Sequence, residues 1–156
     1  MNFEHLVEIN DPDVPLLIML DRAQLWSGLM QRVEDARAFL PGLDECRIVS
    51  RGACGVERIL RWGEVEVSDR VSYEKYQWVR FETAASGRSG GGVLTIRIEE
   101  PEPQRLFLRF SYATVFATGH EREDAAYAEF LRQAYEAADI DTVRMIRQFA
   151  AADGRH

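Results

Sequence analysis

The sequence predicts one α+β domain, residues 1–156, in which a long C-terminal helix packs across a curved antiparallel sheet. Two observations predict this fold. Six strand patterns joined by short links follow one another between residues 43 and 116, and one apolar stripe stays in phase from residue 121 to residue 151. A helix of that length needs a long apolar surface, and only the sheet offers one. We therefore expect an apolar pocket where helix and sheet leave space between them.

The composition is that of a globular protein with an acidic surface. The chain is 46% hydrophobic and 29% charged, and its 19 basic and 26 acidic residues give a net charge of −7. This charge argues against binding to nucleic acid and to anionic membranes. The longest apolar run, Val14–Leu20, is shorter than the roughly 20 residues that span a bilayer, and no basic signal-peptide segment precedes it. We expect a cytoplasmic protein without membrane insertion.

The first elements are a strand and a helix. Alternating residues over Phe3–Ile9 predict a strand with one mostly apolar face, and Asn10–Asp13 ends it. Asp21 is a good N-cap, and Gln24 completes a capping-box pattern. Apolar residues at helical spacing follow, up to a stop at Phe39–Gly42. This region is predicted to hold a helix and a short second turn.

The central part of the chain is a series of strands. Their predicted ranges are Cys46–Arg51, Val56–Trp62, Val65–Tyr73, Trp78–Thr83, Val93–Glu99 and Leu106–Phe116. Because the links are short and turn-like, consecutive strands are expected to form hairpins and hence an antiparallel sheet. With the first strand, this makes about seven strands. The glycine-rich segment Gly87–Gly92 precedes a strand and no helix, so it predicts a hairpin loop, with a lid over the pocket as an alternative, and no phosphate cradle.

The last element is a helix over Glu121–Ala151, with Thr118 and Glu121 as its capping box. Its predicted apolar stripe contains Tyr127, Phe130, Leu131, Ala134, Ala138, Thr142, Met145 and Phe149. At 1.5 Å per residue the helix would be about 45 Å long.

The chemistry-bearing residue types do not form a recognisable catalytic or metal motif. His5, His120 and His156 have no partner at helical spacing, so we expect no metal and no cofactor. Cys46 and Cys54 lie near the two ends of one strand region, which favours free thiols. No serine lies in a nucleophile-elbow motif, so no catalytic residue can be assigned.

Several segments together resemble the AtaL-like family of the SRPBCC superfamily, the START and polyketide-cyclase group. They are Phe3–Pro12, Leu25–Leu29, Pro41–Asp44, Asp69–Val71, Leu106–Phe110 and Ala138–Arg144. The resemblance implies a helix-grip fold with a pocket for a hydrophobic small molecule. Members of the superfamily include lipid carriers, hormone receptors, aromatase/cyclases and oxygenase domains, and a shared fold does not transfer a reaction between them.

Polar residues on apolar faces are the candidates for ligand contact. Asp69 shares a strand face with valines, where it is either half of a structural ion pair with an arginine or a pocket carboxylate. Asp141 flanks the helix stripe, as either a solvent-facing residue or a polar contact at one end of the pocket. Trp62, Tyr112 and Tyr127 offer rigid apolar surfaces with one polar group each. These five residues form the predicted ligand-binding set.

Three functions fit these observations. The first is a binding protein for a hydrophobic, aromatic or polyketide-like small molecule. The second is a cofactor-independent cyclase or dehydratase in which Asp69 carries a proton. The third is an interaction domain with a solid core. A homodimer stays an open alternative to a monomer.

Overall fold

The structure, a computed structural model, describes residues 2–85, 89–116 and 124–153. Its elements in chain order are β1 (Asn2–Glu8), α1 (Arg22–Glu34), a 3₁₀ helix (Ala36–Ala38), β2 (Glu45–Gly52), β3 (Gly55–Trp62), β4 (Val65–Glu74), β5 (Trp78–Thr83), β6 (Ser89–Glu102), β7 (Arg105–Phe116) and α2 (Asp124–Asp153). The predicted α+β fold, with seven strands and a long C-terminal helix, is confirmed.

All seven strands form one antiparallel sheet in the order β1-β7-β6-β5-β4-β3-β2. The turn at Gly63 and Glu64 pairs Trp62 with Val65, and Gly63 takes the left-handed conformation with a φ of 58°. A two-residue link of this kind fixes which residues of β3 and β4 face each other.

Strand β6 begins earlier than predicted and takes in part of the glycine-rich segment. Gly91 has a φ of 81°, and a side-chain carbon at this position would lie 2.5 Å from the carbonyl oxygen of Thr83. Glycine is therefore required where the backbones of β5 and β6 approach each other. The rest of the predicted loop, residues 87 and 88, lies outside the described residues.

Helix α1 begins with the predicted capping box. The Asp21 side chain accepts a hydrogen bond from the backbone N–H of Gln24 at 2.7 Å, and the Gln24 side chain accepts one from the N–H of Asp21 at 2.8 Å. Two exposed backbone donors are thus paired at the start of the helix. The predicted cap of α2, Thr118 and Glu121, lies outside the described residues.

Helix α2 packs against α1 with a face that differs from the predicted stripe. Asp139, Thr142, Val143 and Ile146 are buried, whereas Tyr127 and Phe130 are 47% and 64% exposed. The buried face is rotated by about a quarter turn, at 100° per residue. The predicted stripe was wrong in including Tyr127 and Phe130, which lie in the first turns of α2. The buried residues of α2 lie in its later turns, from Asp139 onwards.

A hydrophobic core lies between the two helices and the inner face of the sheet. Its largest fully buried side chains include Ile9, Leu25, Leu29, Ile96, Leu106, Leu108, Phe110 and Ile146. Among the described residues, no helix is long and apolar enough to cross a membrane. Cys46 and Cys54 are free thiols.

Candidate functional site

A cavity of about 510 Å³ lies between the sheet and the two helices. Strands β3 to β7 supply most of its wall, α1 supplies Arg32, and α2 supplies Tyr135. The lining residues are Arg32, Leu40, Arg58, Leu60, Trp62, Val65, Val67, Asp69, Phe81, Thr83, Ala84, Gly91, Gly92, Val93, Leu94, Tyr112, Thr114 and Tyr135. A cavity of this size with a mainly apolar wall and a few polar groups is typical of small-molecule sites.

The structure brings three of the five predicted residues together. Trp62, Asp69 and Tyr112 line the cavity, whereas Tyr127 and Asp141 do not. Because the buried face of α2 is rotated, Tyr127 is half exposed and Asp141 lies on the outer side of the helix. There the Asp141 carboxylate accepts a hydrogen bond from Arg144 at 2.9 Å. Placing Tyr127 and Asp141 at the cavity was wrong, and the ligand-binding role of the other three residues stays a prediction.

Asp69 forms a buried ion pair with Arg58. Arg58 donates from Nε to Asp69 Oδ1 at 2.9 Å and from Nη2 to Oδ2 at 2.5 Å, and both side chains are almost fully buried. The third nitrogen, Nη1, donates to the backbone carbonyls of Arg32 and Val33, each at 3.0 Å. Asp69 therefore has its two oxygens occupied, and Arg58 ties the sheet to the C-terminal turn of α1.

Arg58 was missed in the sequence, although a signal for it was present. The two-residue turn after Trp62 sets the register of β3 and β4, and that register places Arg58 directly opposite Asp69. Opposite charges at facing positions of neighbouring strands attract each other. The register therefore favours the ion-pair alternative for Asp69.

Arg32 is a second buried arginine at the cavity, and sequence reasoning missed it as well. It lies three residues after Leu29 on the packed face of α1. Its Nη1 donates to Thr142 Oγ1 at 2.8 Å, and its guanidinium carbon lies 5.0 Å from the centre of the Phe81 ring. Burial lowers the pKa of Arg32, and the positive charge of Arg58 acts in the same direction, whereas Tyr112, Asp139 and Asp69 act in the opposite direction. Arg32 remains protonated despite this lowering because the reference pKa of arginine is so high.

A hydrogen-bonded chain of titratable residues runs from the cavity wall to the edge of the sheet. The Tyr112 hydroxyl donates to Asp139, whose other oxygen lies 3.1 Å from Nδ1 of His5. Asp139 has no exposed side-chain surface, whereas the His5 side chain is 23% exposed. The chain therefore connects a lining residue with the protein surface.

The environment of this chain shifts two pKa values. Burial raises the pKa of Asp139 to about 6, although hydrogen bonds from Tyr112 and His5 act in the opposite direction. Burial and the negative charge of Asp139 raise the pKa of Tyr112 far above its usual value, so this phenol stays protonated. Sequence reasoning missed Asp139, which shares the buried face of α2 with Thr142 and Ile146.

Two stacked tyrosines form one wall of the cavity. The rings of Tyr112 and Tyr135 lie 3.9 Å apart and are nearly parallel, with 5° between their planes. The Tyr135 hydroxyl and Thr114 Oγ1 are 2.6 Å apart, which holds the second ring in place. In the described part of the chain, no group of three or more His, Cys, Asp or Glu residues is arranged to hold a metal ion.

The family model of acetylaranotin biosynthesis cluster protein L, AtaL, matches residues 5–153. The chain belongs to the AtaL family. A search of curated proteins found no match to this AtaL-family chain.

Solved structures show which fold this AtaL-family member has. The Zhui aromatase/cyclase from Streptomyces sp. R1128 is similar over 97% of this chain and 93% of its own, with a TM-score of 0.70 and 15% identity. The di-domain ARO/CYC StfQ from the steffimycin biosynthetic pathway has a TM-score of 0.74 and 8% identity, over 99% of this chain and 52% of its own. Ara h 8.0201 has a TM-score of 0.67 and 12% identity, over 97% and 98% of the two chains. At these identities the likeness shows the helix-grip fold alone.

Proposed function

We propose that this AtaL-family chain is a cytoplasmic protein that binds a hydrophobic, planar small molecule, and that residues 1–156 form one ligand-binding domain. The observation that carries the proposal is the cavity of about 510 Å³ between sheet and helices. Its volume lies in the range of small-molecule sites, and apolar surface removed from water on binding favours association.

The shape of the wall supports a planar ligand. The parallel rings of Tyr112 and Tyr135 and the indole of Trp62 are rigid surfaces on which a flat molecule can pack. Both tyrosine hydroxyls are held by protein partners, Asp139 and Thr114. The rings are thus oriented before a ligand arrives, which lowers the entropy cost of binding.

A cavity-filling substitution tests this proposal. Val67 lines the cavity and is partly buried, so Val67→Trp places an indole in the space that a ligand would use. We expect the wild-type protein to bind the neutral fluorescent probe N-phenyl-1-naphthylamine, and Val67→Trp to lose at least tenfold in affinity. The matched control is Val49→Trp, because Val49 is exposed and lies outside this cavity. Native mass spectrometry of the purified protein would identify a ligand that stays bound. Equal probe binding by both variants, or none by the wild type, would contradict the proposal.

A second candidate is a cofactor-independent enzyme of the cyclase or dehydratase type. The observation that favours it is the chain Tyr112–Asp139–His5, because a carboxyl group with a pKa near 6 is suited to accept a proton near neutral pH. Asp69, the proton carrier expected from the sequence, is less suited because both its oxygens accept from Arg58. Similar structures are named as aromatase/cyclases, which agrees with such chemistry.

In this reaction a proton leaves an α-carbon of a polyketide-like chain, and the resulting carbanion attacks a ketone carbon of the same chain. A carbon–carbon bond forms, the alkoxide receives a proton from Tyr112 as Asp139 returns one to Tyr112, and a later elimination releases water. The Tyr112 hydroxyl would accept the first proton while its own proton moves to Asp139.

The test is to incubate a synthetic poly-β-ketoacyl thioester with the protein and to look for a product lighter by one water. We expect Tyr112→Phe to abolish its formation and the control Tyr127→Phe to retain it.

A further inference from the structure

Arg32 is a buried cation with an open donor edge. Its Nη1 donates to Thr142, whereas its Nε and Nη2 have no hydrogen-bond partner within residues 2–85, 89–116 and 124–153. In the same part of the chain, no side-chain nitrogen or oxygen that is shielded from solvent lacks a partner. Nε and Nη2 therefore lie on accessible surface. Because Arg32 is only 9% exposed and lines the cavity, that surface belongs to the cavity wall.

Among the described residues, the carboxylates around the cavity pair with groups other than Arg32. Arg58 is neutralised by Asp69, and the Asp139 oxygens are engaged by Tyr112 and His5. No described carboxylate lies within ion-pair distance of Arg32. A buried charge without a partner is costly, and a ligand of opposite charge would offset that cost.

The open edge has the geometry that binds a carboxylate. Nε and Nη2 lie on the same side of a guanidinium group and can donate two parallel hydrogen bonds. Arg58 uses the same two nitrogens to bind Asp69, at 2.9 and 2.5 Å. The contacts of Arg32 with Thr142 and the Phe81 ring fix the guanidinium plane, so its edge is oriented before binding.

We infer that the ligand is an aromatic carboxylate whose carboxyl group is bound by Nε and Nη2 of Arg32, while its apolar body packs along the Tyr112–Tyr135 wall. This inference rests on the proposed function and names the chemical class of the ligand. The small molecule would thus be held by one charged contact at Arg32 and by apolar contacts elsewhere. Such a division is common in small-molecule sites, where a few polar groups fix the orientation.

Two probes of nearly equal shape separate the charged contact from the apolar ones. The probes are 2-naphthoate and its uncharged analogue 2-naphthamide, with affinities measured by isothermal titration calorimetry at pH 7.5. We expect the wild-type protein to bind naphthoate at least tenfold more tightly than naphthamide. Arg32→Gln should remove this preference and leave the affinity for naphthamide within threefold. Arg32→Lys keeps the charge without the two-donor edge and should retain part of the preference.

The matched control is Arg70→Gln, which removes an exposed arginine of β4 that lies outside the cavity lining. It should keep the full preference for naphthoate, and circular dichroism should show that all variants are folded. Equal wild-type affinity for both probes, or a preference that survives in Arg32→Gln, overturns the inference and leaves the proposed function standing. If neither probe binds, the proposed function is contradicted and the inference fails with it.

Discussion

Two arginines stack on the ring of Phe81, and the protein pairs them differently. The guanidinium carbons of Arg32 and Arg58 lie 5.0 and 5.3 Å from the ring centre, and both side chains are buried. Arg58 donates to Asp69 and to two backbone carbonyls, so each of its nitrogens has a partner. Among the described residues, Arg32 donates only to Thr142. Burial alone therefore does not distinguish a structural arginine from one that is available to a ligand. The number of side-chain nitrogens without a hydrogen-bond partner does distinguish them.

Replacing Arg58 should have the largest effect. Arg58→Met leaves the buried Asp69 carboxylate without its partner, and we expect the free energy of unfolding to fall by about 3–5 kcal/mol. Urea denaturation at pH 7 measures the change. The control is the double variant Arg58→Met/Asp69→Leu, which removes both charges and should recover most of the loss. A loss below about 1 kcal/mol in the single variant would show that the pair is not structural.

The contact between α1 and α2 should come next. A methyl group at Gly28 would lie 2.6 Å from Ile146 Cγ2, so Gly28→Ala should push the helices apart. Arg32 and Thr142 form the next layer of this interface, four residues after Gly28 in α1 and four residues before Ile146 in α2. We expect a loss of about 1–3 kcal/mol by urea denaturation, although alanine is the better helix former by about 1 kcal/mol. The affinity of Gly28→Ala for naphthoate should also fall.

The control for this contact is Ser27→Ala, at an exposed position of the same helix. Its free energy of unfolding should change by less than about 0.5 kcal/mol. A stabilising effect of Gly28→Ala would mean that the helices can separate without cost, and that the position of Arg32 does not depend on their spacing.

Asp139 should give the next largest effect, and it depends on pH. Its pKa is raised from 3.8 to about 6 in the folded state, so the folded protein holds this proton more tightly than the unfolded chain. Stability from this group is present below pH 3.8 and is lost as the pH rises toward 6. Relative to Asp139→Asn, the wild type should therefore lose up to about 3 kcal/mol over that range. Urea titrations of both proteins at several pH values test this, and a difference that is constant or grows with pH would contradict it.

The elements of the fold could be predicted because they depend on local patterns. The capping box at Asp21 and Gln24 and the turn after Trp62 are short-range signals, and the structure contains both. The extension of β6 to Ser89 was missed because glycines usually mark loops. Here a close approach of two backbones at Gly91 explains the glycine, and that approach depends on tertiary structure.

The site was harder to predict because the role of each polar residue depends on the residues that it contacts in the folded protein. Trp62, Asp69 and Tyr112 could be found, since each interrupts or ends an apolar strand face. Arg32 and Asp139 could not, because their contacts reach residues more than 100 positions away, Thr142 and His5 respectively. Helical periodicity identified α2, but it could not tell which turns α1 would cover.

The smallest effect on stability should come from Arg32, although its side chain is buried. Arg32→Met removes one hydrogen bond to Thr142, worth about 1 kcal/mol, and also removes the cost of burying an unpaired charge. Thr142 can donate instead to a backbone carbonyl one turn earlier in α2. We therefore expect the free energy of unfolding to change by less than about 1 kcal/mol, measured beside Arg58→Met under the same conditions. A loss of about 3 kcal/mol or more would make the two arginines equivalent, and Arg32 would then be a structural residue with no donors reserved for a ligand.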